Sequence, residues 1–287
     1  MINKEKVRRP SNWTVVNIKA RENQTSEHYV NLMREILHED PMVDIGRKHQ
    51  ISMKSYNEGP KIVETQIPQW IEMIFTTFVI VDPEAFYDIR NKKDVTIEKW
   101  NEDIVVNKRE IYTLFIPDTH TLAIRMSAEG SLRHIERFML EAAERVEPET
   151  FDVTVIKSHD AVQRILDSRD IIKLDASVSF SNPGHTGGFD SAFDDKMREA
   201  NPTTCNIKMQ GTQEKPLRNE ADGLIEAIVS LSEQNGEVKA TIVENNKPVI
   251  VNTKLYPARL RIIASAIELY QTLRNRIIQE YGEHDGK

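Results

Sequence analysis

The chain of 287 residues contains a single cysteine, Cys205. One thiol excludes an internal disulfide and every multi-cysteine metal motif. Long hydrophobic runs are also missing, because the most apolar stretch, IEMIFTTFVIVD at 71–82, is far shorter than the ~20 residues that span a bilayer. We recognise no cleavable signal sequence, and we therefore expect a cytoplasmic protein without direct membrane insertion.

An overall positive charge is absent as well. The formal net charge is −7 and the pI is about 5.7, whereas DNA-binding domains are often basic throughout. An acidic total still leaves room for a local basic face. The distribution of the lysines and arginines therefore matters more than their number.

The chain lacks the nucleotide-binding motifs that one of its loops first suggests. Residues 171–200 run from an alternating apolar stretch through three glycines between 184 and 188 into a helix-like stretch. No lysine and hydroxyl residue follow the last glycine, and the glycine spacing of the dinucleotide fingerprint is absent. Asp190, Asp194 and Asp195 would occupy the first helical turn and repel a phosphate. We interpret the segment as a capped helix start and expect no cofactor.

Catalytic motifs are missing too. Eight histidines are present, but none has metal-ligand spacing, and there is no Gly-x-Ser-x-Gly elbow. We therefore expect a binding protein rather than an enzyme. The alternative is a metal-dependent nuclease or a nucleotide-dependent effector, with a divalent ion bridging carboxylates near His185, Asp190 and Asp194.

Hydrophobic periodicity indicates an α+β fold with two domains. We expect mixed or antiparallel sheets with helices packed on one face and a long C-terminal helix. The acidic segment EPETF suggests a boundary that separates an N-terminal domain, 1–147, from a C-terminal domain, 148–287. The predicted elements are a flexible basic arm (1–10), strands at 13–20, 46–59 and 71–82, helices at 26–37 and 131–146, a hairpin at 108–126, a strand at 204–212, a helix at 219–236, a hairpin at 237–255 and the long helix at 257–281.

Basic residues gather towards the two ends of the chain, and they form our candidate nucleic-acid site. Contacts with phosphates need only a few cations, each of which releases counterions on binding. The candidate residues are Arg8, Arg9, Lys19, Arg21, Lys215, Arg218, Lys239, Lys254, Arg259 and Arg261.

The predicted last helix suggests a second contact surface. At 100° per residue it has one broad apolar face, with Arg259 and Arg274 inside it. A guanidinium in an apolar arc requires a carboxylate, a carbonyl or an external phosphate. The arc is wide enough to pack on its own domain and to meet a partner helix, so we expect a homodimer.

Three features of the second half carry a resemblance to a known family. The strand in SFSNP ends in Asn182-Pro183, Asn235-Gly236 opens the hairpin NGEVKATIVENNKPVIVNT, and Tyr256-Pro257 leads into the final segment. In these features and in its order of elements the chain resembles the RexA-type phage-exclusion proteins and a related domain family of unknown function found in defence gene clusters.

The resemblance implies a dimeric, two-domain protein that binds DNA without sequence specificity. It also implies a role as the sensor or trigger of abortive infection, with a membrane effector protein encoded nearby. It carries over no catalytic residue.

Overall fold

The computed structural model has an α+β fold with antiparallel sheets, as the sequence predicts. Its strands are β1 (Arg9–Ala20), β2 (Val43–Gly46), β3 (His49–Glu58), β4 (Ile71–Val79), β5 (Phe86–Asp88), β6 (Lys93–Val95), β7 (Val106–Ile116), β8 (Thr121–Arg125), β9 (Phe151–Val155), β10 (Ile171–Val178), β11 (Cys205–Gln210), β12 (Gly236–Glu244), β13 (Lys247–Asn252) and β14 (Arg259–Ala264). The helices with defined bounds are α1 (Ser26–Glu39), α2 (Ser131–Val146), α3 (His159–Leu166), α4 (Leu224–Asn235) and α5 (Leu269–Tyr281). The structure describes residues 7–20, 25–46, 48–82, 84, 86–97, 101, 104–126, 131–147, 151–179, 195–197, 199–200, 202, 204–220, 223–244 and 247–281.

The larger sheet has eight strands in the order β14-β1-β8-β7-β4-β3-β2, and β9 also pairs with β1. β1 is buried along most of its length because β14 lines the first half of one edge and β9 the second half. Its side chains alternate between two cores, with Trp13 and Val15 in one and Val16 and Ile18 in the other.

Helices cover both faces of this sheet. α1 and α2 pack on the Val16 side, where Phe138 of α2 meets Phe75 of β4 with ring centroids 5.0 Å apart. The helix predicted over 131–146 is confirmed, and its apolar residues recur at the helical period. α5 packs on the Trp13 side through Leu273 and Ile277.

The smaller sheet has four strands in the order β11-β10-β12-β13. α3 and α4 cover one of its faces and enclose a separate core, in which Ile165 and Ile228 contact Leu174 and Ala240. The strands alternate between apolar inward residues and polar outward residues, so the other face is solvated.

The predicted boundary at residues 147 and 148 does not coincide with the sheets. The chain leaves the larger sheet only after β9 and returns to it with β14 and α5. The segment that leaves the larger sheet after β9 and the segment that returns to it before β14 are the two crossovers, and they pair with each other. The amide of Ala258 donates to the carbonyl of Ile156 at 2.8 Å, and the amide of Ser158 donates to the carbonyl of Tyr256 at 2.7 Å. Residues from the second half therefore complete the first sheet.

The predicted long helix at 257–281 is wrong in its first half. Residues Arg259–Ala264 form β14, which pairs antiparallel with β1 from Arg9 to Thr14. The helix begins only at Leu269, after a turn in which the Ser265 hydroxyl donates to the Glu268 carboxylate at 3.0 Å. The broad apolar arc on which we based the expected homodimer is therefore not formed.

The predicted N-terminal arm is also shorter than 1–10, because Arg9 and Pro10 belong to β1. None of the helices in the described ranges combines the length and the apolarity needed to cross a membrane.

Candidate nucleic-acid interface

The face of the smaller sheet opposite α3 and α4 carries a group of basic side chains with few acidic partners among the described residues. Lys173 and Asp175 of β10 point outward. Asp175 lies between two lysines of the neighbouring strands, with Lys208 of β11 opposite it on one side and Lys239 of β12 opposite it on the other. Adjacent strands lie about 4.8 Å apart, so the backbones of Lys208 and Lys239 are separated by about 10 Å across β10. We call these three lysines the lysine face.

Acidic residues neutralise the lysine face only in part. The Lys208 ammonium lies 3.8 Å from the Asp175 carboxylate. In the described residues, no carboxylate comes within ion-pair distance of Lys173 or Lys239. Three cations thus surround one carboxylate, and the face keeps a net positive charge in a protein whose total is −7.

The side chains around the lysine face are polar and mostly small. Within the described ranges its strands direct no aromatic ring outward, so nothing there could stack on a nucleobase. Ile250 is 63% exposed at the β13 edge and is the large apolar side chain on this surface. The other outward residues are Ser177, Asn206, Gln210, Glu237, Thr241, Val243, Pro248 and Asn252.

Lys254 lies where β13 leaves the sheet. Its ammonium is 3.0 Å from the carboxylate of Glu237, which is an outward residue of β12. The Asn252 side chain fixes the turn by accepting the Lys254 amide at 3.1 Å. Lys254 therefore adjoins the lysine face, but an ion pair balances its charge.

Arg259 and Arg261 project from the same side of β14 because they are two residues apart in a strand. They lie opposite Thr14 and Asn12 of β1, and both are exposed. The described part of the chain contains no carboxylate at ion-pair distance from either guanidinium. These two arginines form a second basic surface, on the edge strand of the larger sheet.

Lys19 does not belong to a surface site. Its side chain is 0% exposed, and its ammonium donates to the Ser179 hydroxyl at 2.9 Å and lies 3.8 Å from the Asp152 carboxylate. The Ser179 hydroxyl also contacts the carbonyl of Asn235 at 3.1 Å. Lys19 therefore holds β1, β9 and the end of β10 together and cannot reach an external phosphate.

The other predicted residues are dispersed. Arg8 lies 3.6 Å from Glu268, and Arg218 lies 3.8 Å from Glu220. Lys215 lies in the loop after β11, which belongs to the smaller sheet, whereas β14 belongs to the larger sheet. Arg21 lies outside the described residues.

The structure brings Lys239 together with two lysines that the charge clustering did not single out. The missed signal is alternation, since Lys173 in IIKLDASV and Lys208 in CNIKMQ occupy outward positions of their strands. Applied to these short strands, the period-2 rule would have placed both lysines on one face.

A buried lysine, Lys157, was also missed. It lies in the crossover between the sheets and is 5% exposed; its backbone amide donates to the Glu233 carbonyl at 2.8 Å, but its ammonium has no hydrogen bond or ion pair among the described residues. Burial lowers the pKa of Lys157, although the carboxylates of Glu237 and Glu136 act in the opposite direction. Burial also raises the pKa of Glu136, against the attraction of Lys157 and Lys254.

The alternative metal site at His185, Asp190 and Asp194 lies outside the described residues. Among the residues that the structure does describe, no three His, Cys, Asp or Glu side chains are grouped so that they could hold a metal ion.

Comparison with known proteins yields a family but no activity. No curated protein matches the chain. One family model matches residues 9–278, from the first residue of β1 to within α5, and its description is Domain of unknown function (DUF4747). Because the match extends over both sheets and most of the sequence, the chain belongs to this family of unknown function.

Proposed function

We propose that this protein binds nucleic acid, in particular double-stranded DNA, through its phosphate backbone and without reading base sequence. The observation that supports the proposal is the lysine face, where Lys173, Lys208 and Lys239 surround the carboxylate of Asp175, while the carboxylate of Glu237 on the same sheet surface is paired with Lys254. Lysine is a point-like donor to phosphates, and backbone contacts carry no sequence information. The lack of outward aromatic rings on the described strands favours backbone contact over base stacking.

Arg259 and Arg261 supply a second contact in this proposal. Both guanidinium groups are exposed on an edge strand and can pair with phosphates in a bidentate manner. The acidic remainder of the molecule weakens binding at a distance, but salt screens charges beyond about 8–10 Å. A local basic surface can therefore act despite the net charge of −7.

The biological part of the proposal follows from the resemblance to RexA-type phage-exclusion proteins. We propose a cytoplasmic sensor or trigger of abortive infection that signals to a membrane effector protein. A homodimer belongs to the same proposal, and light scattering should then give a mass of about twice 33.1 kDa. A monomer at all concentrations would remove the dimer and leave the DNA-binding proposal intact.

The decisive experiment measures the anisotropy of a short labelled DNA duplex between about 50 and 200 mM salt. Each lost phosphate contact should reduce the slope of log affinity against log salt by about 0.9, so replacing Lys173, Lys208 and Lys239 by glutamine should reduce it by up to about 2.7. The loss should be the same for unrelated duplex sequences.

A matched control uses three exposed lysines of the first half of the chain. Replacing Lys48, Lys61 and Lys93 by glutamine changes the net charge equally but leaves the lysine face intact. The proposal requires that this variant binds DNA like the wild type. Equal losses in both triple variants would show that only net charge matters, and wild-type protein that fails to bind DNA at low salt would refute the proposal.

A further inference from the structure

A small cavity lies where β1 begins, β14 ends and the chain turns into α5. Its volume is about 260 Å³. Its polar side chains come from Arg9, Ser11, Arg125 and Ser265, and the rest of the lining is aliphatic: Val7, Pro10, Ala264, Ala266 and Leu269. This cavity lies apart from the lysine face and takes no part in the function proposed above.

Two arginines point into the cavity from neighbouring strands. Arg125 of β8 lies directly opposite Trp13 of β1, and paired residues of antiparallel strands project to the same side. Arg9 lies four residues before Trp13 on β1 and therefore shares that side as well. The register of β1 and β8 thus fixes both guanidinium groups on the face of the sheet that α5 covers.

Neither guanidinium has an acidic partner in the described residues. The Arg125 guanidinium lies over the ring of Tyr112, whose centroid is 5.8 Å away. Glu268, in the turn before α5, is paired with Arg8 at 3.6 Å and accepts from the Ser265 hydroxyl at 3.0 Å. Two like charges consequently face one cavity, and an anion placed between them would relieve their repulsion.

We propose that this cavity binds a phosphate monoester, held between Arg9 and Arg125. Guanidinium groups match the tetrahedral oxygens of phosphate with paired donors, and the hydroxyl of Ser265 or Ser11 lies in the same lining. The volume is below the roughly 300–1,000 Å³ of sites that enclose a drug-sized ligand. The cavity suits a phosphate group with part of its sugar. Among the described residues, no aromatic ring lines the cavity to hold a base.

The phosphate could be that of a free mononucleotide or the 5′ end of a nucleic-acid strand, and the experiment separates the two. Calorimetry compares inorganic phosphate, adenosine monophosphate and adenosine, and then compares short single strands with and without a 5′-phosphate. We expect inorganic phosphate and the monophosphate to bind and adenosine not to bind. A preference for the 5′-phosphorylated strand over the free monophosphate identifies a strand end, and the reverse preference identifies a nucleotide.

Variants place the binding at this cavity. Arg9→Gln and Arg125→Gln should each weaken phosphate binding at least about tenfold, because each removes one of two charged donor pairs. Arg125→Lys should recover only part of the affinity, since lysine lacks the planar fork. Arg133→Gln changes the net charge equally, but Arg133 is exposed on α2, which covers the opposite face of the sheet, so binding should not change.

Glu268→Gln provides an independent check, because Glu268 is not itself a lining residue and a glutamine can still accept the hydrogen bond from Ser265. Removing this nearby negative charge should tighten phosphate binding by about twofold at low salt. The proposal is wrong if the wild type binds no phosphate, if Arg133→Gln loses as much affinity as Arg9→Gln, or if Glu268→Gln weakens binding. The triple lysine variant should still bind phosphate, which keeps failure here distinct from failure of the proposed DNA binding.

Discussion

Two buried lysines with opposite surroundings allow a stringent test of the electrostatics. Lys19 is fully buried and contacts Ser179 at 2.9 Å and Asp152 at 3.8 Å. Lys157 is 5% exposed, and in the described residues its ammonium has neither a hydrogen bond nor an ion pair. Methionine keeps most of the aliphatic volume of lysine and removes the charge. The same substitution should therefore have opposite effects at the two positions.

Lys19→Met should destabilise the protein, because hydrogen bonds to charged groups contribute about 1.5–3 kcal/mol and this one joins β1 to the end of β10. Lys157→Met should raise the free energy of unfolding by about 1–3 kcal/mol at neutral pH, because a buried ammonium without a close partner is replaced by an apolar group. Urea unfolding followed by fluorescence would measure both changes.

The pH dependence gives a second check on Lys157. Its pKa is lowered in the folded state, so between that value and the unfolded value of about 10.4 the unfolded state binds more protons. Wild-type stability should therefore rise with pH through this window, and the rise should be absent in Lys157→Met. The advantage of the variant should then shrink as the pH increases.

A destabilised Lys157→Met would refute this reasoning, as would an advantage that grows with pH. Either result would mean that the carboxylates of Glu136 and Glu237 stabilise the ammonium more than burial destabilises it. The Lys19→Met variant guards against a trivial explanation, because a general benefit of methionine in the core would stabilise both proteins.

Three further predictions concern single positions. Asp175→Asn should tighten DNA binding about two- to fivefold in the anisotropy assay, since it removes the one carboxylate among the three lysines, whereas unchanged affinity would contradict the lysine face. Gly236→Ala should lower the free energy of unfolding by about 1–3 kcal/mol, because the new Cβ would overlap the carbonyl oxygen of Ser177. A urea midpoint equal to that of the wild type would disprove the clash. Arg164→Gln should leave the urea midpoint almost unchanged. Arg164 forms two 2.8 Å contacts with Glu244, but solvent screens this exposed pair. A large shift would show that the pair is stronger than its exposure suggests.

The sequence predicted the elements whose pattern is strong and local. The helix at 131–146 has an apolar stripe at the helical period and no alternation that would favour a strand. The hairpin predicted at 108–126 is formed by β7 and β8, which are joined at Pro117-Asp118-Thr119. In both cases the residues that decide the structure are close in sequence. The alternation of β10 and β12 was equally clear, and it produced the strands of the smaller sheet.

The sequence failed where the deciding contacts are distant. β14 was predicted as helix because Leu260 and Ile263 fit a helical face, but its partner β1 lies about 250 residues away, as in the contact of the Ser11 hydroxyl with the Ile262 carbonyl. Two local signals were available. Residues 259–262 alternate between charged and apolar side chains, and Ser265 with Glu268 three residues later is the pattern of a helix start.

The candidate site shows the same division between local and distant information. Charge clustering along the chain selected Arg259 and Arg261, which the structure places exposed on β14, yet it also included Lys19, whose burial depends on how β9 and β10 meet β1. The sequence around a lysine in an apolar strand does not indicate whether its ammonium will contact water, a phosphate or a buried carboxylate. Burial is a tertiary property, so linear charge patterns overestimate binding surfaces.

The connection between the two sheets explains why the family match extends from β1 into α5. β1 needs β14 at its edge and α5 over Trp13, and both elements follow the smaller sheet in the chain. Lys157 lies at the crossover where the chain leaves the larger sheet, next to the return at Pro257. A change in the angle between the sheets would therefore alter the environment of this buried ammonium.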